Sequence, residues 1–158
     1  MRKITETIVS AFLNRSKKSS GNTTTDGDSL YLHGNEIARH GYANGVQSFE
    51  MGARGVYITL ADWNSTTTKE RLKGILTLLQ AETPCLPFVG IWTKAYQTYV
   101  GIVTEKKGAT EISGRDWLFI ETDPNGLKVR KVEKNGKGEL FALPVDDYLS
   151  TECGGATR

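Results

Sequence analysis

The chain has 158 residues, 38% of them hydrophobic, with 20 Lys and Arg against 18 Asp and Glu for a formal net charge of +2. That length suits one domain, or two small halves sharing a core, and that apolar content argues against global disorder. The near-neutral balance means that binding a polyanion cannot rest on bulk charge. No apolar run approaches the roughly 20 residues of a membrane helix, so no membrane partner is expected.

Seventeen glycines against four prolines predict many turns and a β-rich protein. Ile4 to about Asn14 can form an opening helix, with Ile4, Ile8, Ala11 and Phe12 on one face. The same stretch is too short and interrupted for a secretory signal, so a cytoplasmic location is expected. Arg15 to Asp28 is polar and basic, and reads as a mobile surface loop. Leu30 to Leu32, Glu36 to Arg39 and Val56 to Leu60 read as short strands, the last being the strongest, punctuated by Gly34, Gly41 and Gly45.

The chain then turns at Asp62-Trp63-Asn64 and enters a helix over about 66–80, with Leu72, Ile75, Leu76 and Leu79 at helical spacing. Ser65 or Thr66 can cap it, and Thr67 with Glu70 has the spacing of a capping box. Thr83-Pro84 ends that region. Phe88–Thr93 and Thr98–Val103 pair as a hairpin, while 117–122, 127–132 and 139–143 read as a meander with turns at Asp123–Gly126 and Asn135-Gly136. A last helical turn is expected over 145–150. The expected class is α+β, with mostly antiparallel, twisted sheets, in one domain over 1–150 followed by a disordered polar tail over 151–158. Two strand-rich halves around a helix faintly suggest a duplication, although no repeat is visible.

No catalytic constellation is present, so an enzyme is not expected. His33 and His40 are the only histidines, and a turn separates them, so His33 reads as a turn residue. Asp26-Gly27-Asp28 hints at a cation loop but lacks the downstream ligands of one. Cys85 and Cys153 are too few for a structural zinc site, and neither a phosphate loop nor a nucleophile elbow occurs, so no cofactor is expected. A nuclease built from scattered carboxylates is a remote alternative.

Binding chemistry is better represented. Bases of a single strand stack on aromatic side chains while lysine and arginine follow the phosphates. Trp92, Lys94, Tyr96, Tyr99, Lys106 and Lys107 fall close together on the hairpin and the turn after it. Arg15, Lys17 and Lys18 lie in the basic N-terminal loop. Lys69 and Lys73 share a helix face, and Lys128 and Arg130 share a strand face opposite Leu127 and Val129. The bland alternative is a solvated mixed surface with Trp92 and Tyr99 in the core. Trp63, beside the helix cap, reads as a structural plug. An oligomer is expected, with Phe12, Leu78 and Leu79 as candidate apolar contacts.

GNTTTDG, LYLHGNEIA and WNSTTTKERLKGI, taken together over about residues 12–76, resemble a family of small bacteriophage proteins. One branch of it resembles single-stranded-DNA-binding cofactors of the Drc type, which bring a phage-encoded RNA polymerase to middle promoters, and a related binder is Whirly-like. The resemblance implies a protein of the infected bacterial cytoplasm that binds melted promoter DNA and recruits such a polymerase. An RNA-binding phage protein and a host-directed protein-binding factor are the alternatives. The second half of the chain departs from the short members of that family.

Overall fold

The computed structural model describes residues 2–43, 54–63, 65–82, 89–102, 109–123, 126–134, 136 and 138–143. The elements are α1 (Lys3–Leu13), β1 (Lys18–Ser20), β2 (Thr23–Thr25), β3 (Ser29–Leu32), β4 (Asn35–Tyr42), β5 (Arg54–Thr59), α2 (Thr66–Glu82), β6 (Val89–Lys94), β7 (Gln97–Ile102), β8 (Thr110–Ile112), β9 (Trp117–Asp123), β10 (Gly126–Lys134) and β11 (Leu140–Ala142). An eight-stranded sheet has the order β1-β2-β3-β4-β5-β9-β10-β11, and a three-stranded sheet has the order β6-β7-β8. Every strand pair is antiparallel, so the α+β expectation holds. Among the described residues no helix is long and apolar enough to cross a membrane.

The two-residue period of a strand explains how the sheet is buried. On β5, Val56 and Ile58 face the main core, while Tyr57 faces the other side. On β9, Leu118 and Ile120 match the former, and Trp117 and Phe119 the latter. These two strands are paired from Gly55↔Glu121 to Thr59↔Trp117. Gly55 makes that approach possible, because a Cβ there would lie 2.2 Å from the Ile120 carbonyl oxygen. The main core holds Ile8, Val9 and Phe12 of α1, Leu72, Ile75 and Leu76 of α2, and Val89, Ile91, Val100 and Ile112 of the small sheet. Helices and small sheet therefore form one layer over one face of the large sheet. β11 covers part of the other face, packing Leu140 and Ala142 with Tyr57 and Phe119, and the Ala142 N–H donates to the Ala43 carbonyl.

Several expectations need correction. Residues 15–28 are not a free loop. A turn at Gly21 (φ 60°) folds β1 onto β2, and Thr23 and Thr25 are buried. Their hydroxyls are engaged: Thr25 Oγ1 donates to the Ser29 carbonyl, and Thr23 Oγ1 accepts from Arg71 Nε. Polar residues in a turn-rich stretch concealed a buried strand because each is satisfied locally. The helix cap is Ser65, whose Oγ accepts from the Thr68 N–H at 3.1 Å. The Thr67–Glu70 capping box does not form, since Glu70 turns instead to Thr5, the Arg2 N–H and Arg71. α2 runs to Glu82, beyond the expected residue 80.

The suggestion of duplication fails too, because β9, β10 and β11 complete the first sheet. The meander itself forms as expected. β8 was not foreseen. Phe12 is fully buried and unavailable to a partner chain, while Leu78 and Leu79 are partly buried against the core. The turn expected at 145–150, the tail and both cysteines lie outside the described residues.

Candidate nucleic-acid interface

The β6–β7 hairpin forms in the register that sets Trp92 opposite Tyr99. Their rings stack with centroids 6.1 Å apart, and both are partly buried on the outer face of the small sheet. Gly101 serves this pair: a Cβ there would meet the Trp92 ring and Ala109, each at 3.0 Å. The space is thus filled by the protein's own indole rather than kept open for a ligand. At the tip, Ala95 and Tyr96 both have positive φ, 52° and 67°, the pair of signs a tight hairpin turn requires and that Asn and Gly adopt more readily. Tyr96 is 95% exposed. Lys94 is exposed beside it, and Lys69 of α2 reaches the strand end, donating from Nζ to Thr93 Oγ1 at 2.8 Å. Lys73 is exposed one turn further along α2.

Other turns gather at the same end of the molecule. His33 (φ 51°) and Gly34 (φ 80°) join β3 to β4. Ala61 (φ 52°) and Asp62 (φ 67°) follow β5, closed by a hydrogen bond from the Trp63 N–H to the Leu60 carbonyl. The Asp62 N–H donates to the Gly114 carbonyl of the β8–β9 turn at 2.7 Å. Of the six non-glycine residues with positive φ among those described, only Arg15 lies elsewhere. Backbone strain of this kind persists where the surroundings enforce it, and it concentrates at functional sites. Trp63 was expected to plug the fold, yet it is 55% exposed, because its turn directs it outward beside His33. Trp63 and Tyr96 are the two exposed large hydrophobic residues among those described, and both stand here.

A cleft of about 310 Å³ runs from Trp63 past Arg115 and Trp117 to Lys134. It leads toward a groove of about 780 Å³ whose Arg115, Lys131 and Lys134 are offset by Glu111, Asp116 and Glu133. That balance of sign makes the groove a poor track for phosphates.

The remaining sequence candidates separate from this end. Arg15, Lys17 and Lys18 are exposed at the β1 edge, beyond both helices, and Arg15 pairs with Asp28 at 3.3 Å. Arg130 is held by Glu121 at 2.7 Å and by the Leu143 carbonyl, so its guanidinium is occupied within the fold. Lys128 stands opposite Glu121 on β10. Lys106 and Lys107 lie outside the described residues. The fold thus brings Lys69, Trp92, Lys94, Tyr96 and Tyr99 together, adds the unanticipated Trp63, and sets Arg15, Lys17, Lys18, Lys128 and Arg130 apart.

Among the described residues, neither acid nor histidine chemistry gathers at an alternative centre. Asp26 is held below the usual carboxylate range, first by the Ser29 N–H and then by the Asp28 N–H, so it shapes a turn. Burial lowers the pKa of His40, against the opposing hydrogen bond to the Phe12 carbonyl, and its ring stacks on Phe12 at 4.3 Å. Among the described residues no three His, Cys, Asp or Glu side chains converge to hold a metal ion.

Residues 1–121 match the family described as Kyanoviridae Gp96 protein. No curated protein and no solved structure matches the chain. The match spans both helices, the small sheet and most of β9, which is most of the chain, so this bacteriophage protein belongs to the Kyanoviridae Gp96 protein family.

Proposed function

We propose that the protein binds single-stranded nucleic acid, DNA in the first instance, across its turn-rich end. The observation that carries this reading is Tyr96, almost wholly exposed on a strained hairpin tip that also bears Lys94, on a hairpin whose Thr93 is reached by Lys69 of α2. A fully solvated phenol ring gains nothing for the fold, whereas a base can stack on it and the ammonium groups can follow the backbone. Phage transcription supplies the setting: the protein holds melted promoter strands and brings a phage-encoded RNA polymerase to them. That second step rests on the family resemblance in the sequence alone.

Fluorescence-anisotropy titration of single-stranded and duplex oligonucleotides at two salt concentrations tests the reading. Single strands bind more tightly, log affinity falls linearly with log salt, and Tyr96→Ala costs roughly 1–3 kcal/mol. Equal, weak and salt-independent binding of both forms removes the proposal. Preference for matched RNA over DNA moves it to an RNA-binding role.

A further inference from the structure

A cavity of about 170 Å³ lies between the β3–β4 turn and the start of α2, next to the exposed Trp63. Its floor is apolar, made by Leu32, Ile37 and Leu60, all nearly inaccessible to solvent. Two flat rings stand at its mouth. The His33 and Trp63 centroids are 6.4 Å apart and tilted by 31°, a much looser approach than the 4.3 Å stack of Phe12 on His40. Asn22 Nδ2 lies 3.3 Å from His33 Nε2, which steadies the imidazole. Asn35 and Thr67 line the cavity too, and neither side chain hydrogen-bonds another described residue. An apolar floor, two planar walls and a rim with free donors and acceptors match one flat heterocycle with polar edges. The volume suits a single ring system rather than a length of chain.

We propose that this cavity is a nucleobase pocket, taking one unstacked base of the bound strand with Trp63 as its stacking wall and Asn35 at its polar edge. The assignment rests on the single-strand reading above and locates a specific subsite for it. It accounts for an exposed tryptophan on a turn with two positive φ angles, which packing does not require. Extruding a base costs stacking energy, least in a strand already single, so the pocket favours melted over paired DNA.

Free nucleosides titrated against the full chain, read by tryptophan fluorescence, test the pocket directly. A saturable change is expected that Trp63→Phe abolishes or strongly reduces and Trp117→Phe retains. Trp63→Ala should weaken oligonucleotide binding by roughly 5- to 150-fold, the range for one stacked base. Trp63 is more than half exposed, so these variants should fold, as checked by thermal unfolding. Absence of any saturable change, or one that survives Trp63→Phe undiminished, overturns the pocket. Equal oligonucleotide affinity of wild type and Trp63→Ala also overturns it, while leaving the Tyr96 surface standing. A nucleoside response at Trp63 without oligonucleotide binding supports the pocket and overturns the single-strand reading instead.

Discussion

Two regions of this molecule combine aromatic rings with cationic side chains. Around β9, Arg39 lies 4.9 Å over the Trp117 ring and pairs with Glu36, and Arg130 pairs with Glu121. Tyr57 packs on Phe119 at 4.6 Å and donates its hydroxyl to the Tyr42 carbonyl, while burial pushes its pKa up to about 12. At the turn end, Trp63 and Tyr96 reach into solvent beside Lys94. The ingredients match, and the difference lies in whether a carboxylate or carbonyl answers each cation. Where it does, the ring and the charge build the fold. Where it does not, they are left for something else to meet.

The largest effect expected from breaking this contrast comes from Arg130→Met. The guanidinium and Glu121 are only 16% and 10% exposed, so losing one partner should cost about 3 kcal/mol in urea unfolding. Single-strand affinity should not change. Lys94→Met should do the reverse, leaving stability alone and reducing the salt dependence by about one phosphate contact, a slope change of roughly 0.7. If Arg130→Met weakens binding at constant stability, the contrast has been drawn in the wrong place.

An intermediate effect concerns pH on the held side of the molecule. Burial alone would raise the Glu70 pKa, but Thr5, the Arg2 N–H and Arg71 together lower it below the ordinary 4.5. A carboxylate with a depressed folded pKa stabilises fully above its unfolded value and loses that contribution as pH falls through the folded one. Urea midpoints should therefore drop on acidification through and below the carboxylate range. Glu70→Gln should flatten part of that drop, since the amide cannot titrate. A variant with the wild-type pH slope would mean that Glu70 is not coupled to folding.

The smallest effect tests the strained tip. Ala95→Gly relieves a positive φ and should stabilise the protein by up to about 1 kcal/mol. It should also weaken single-strand binding by less than Tyr96→Ala does, because a freer tip must be ordered on binding. Stabilisation with unchanged affinity would show that the strain does not serve to position Tyr96.

The sequence made the repeating elements plain. Val56 to Ile58 and Trp117 to Ile120 are apolar on both faces and read as strands at once. The Leu72–Leu76 spacing showed α2. What stayed hidden was long-range. Nothing local indicates that β9 pairs with β5 rather than with the hairpin before it, so one sheet read as two halves. Thr23 falls in a stretch that reads as a surface loop, and it is buried together with Thr5 and Arg71 because the three satisfy one another across α1, α2 and β2. At the candidate site the hairpin aromatics were legible from alternation and turn spacing. Trp63 was not, because its outward direction depends on the positive φ values of Ala61 and Asp62, and alanine ordinarily avoids such values.

The union of β5 with β9 also bears on how the chain is made. β5 leaves the ribosome with only β4 beside it, and its second neighbour follows about 60 residues later, after α2 and the whole small sheet, on the order of several seconds at cellular synthesis rates. Through that interval Val56, Tyr57 and Ile58 present an open backbone edge to whatever is nearby. The nascent protein is therefore at its most adhesive just before Trp117 emerges, and a fragment ending short of that residue would keep the stickiness for good.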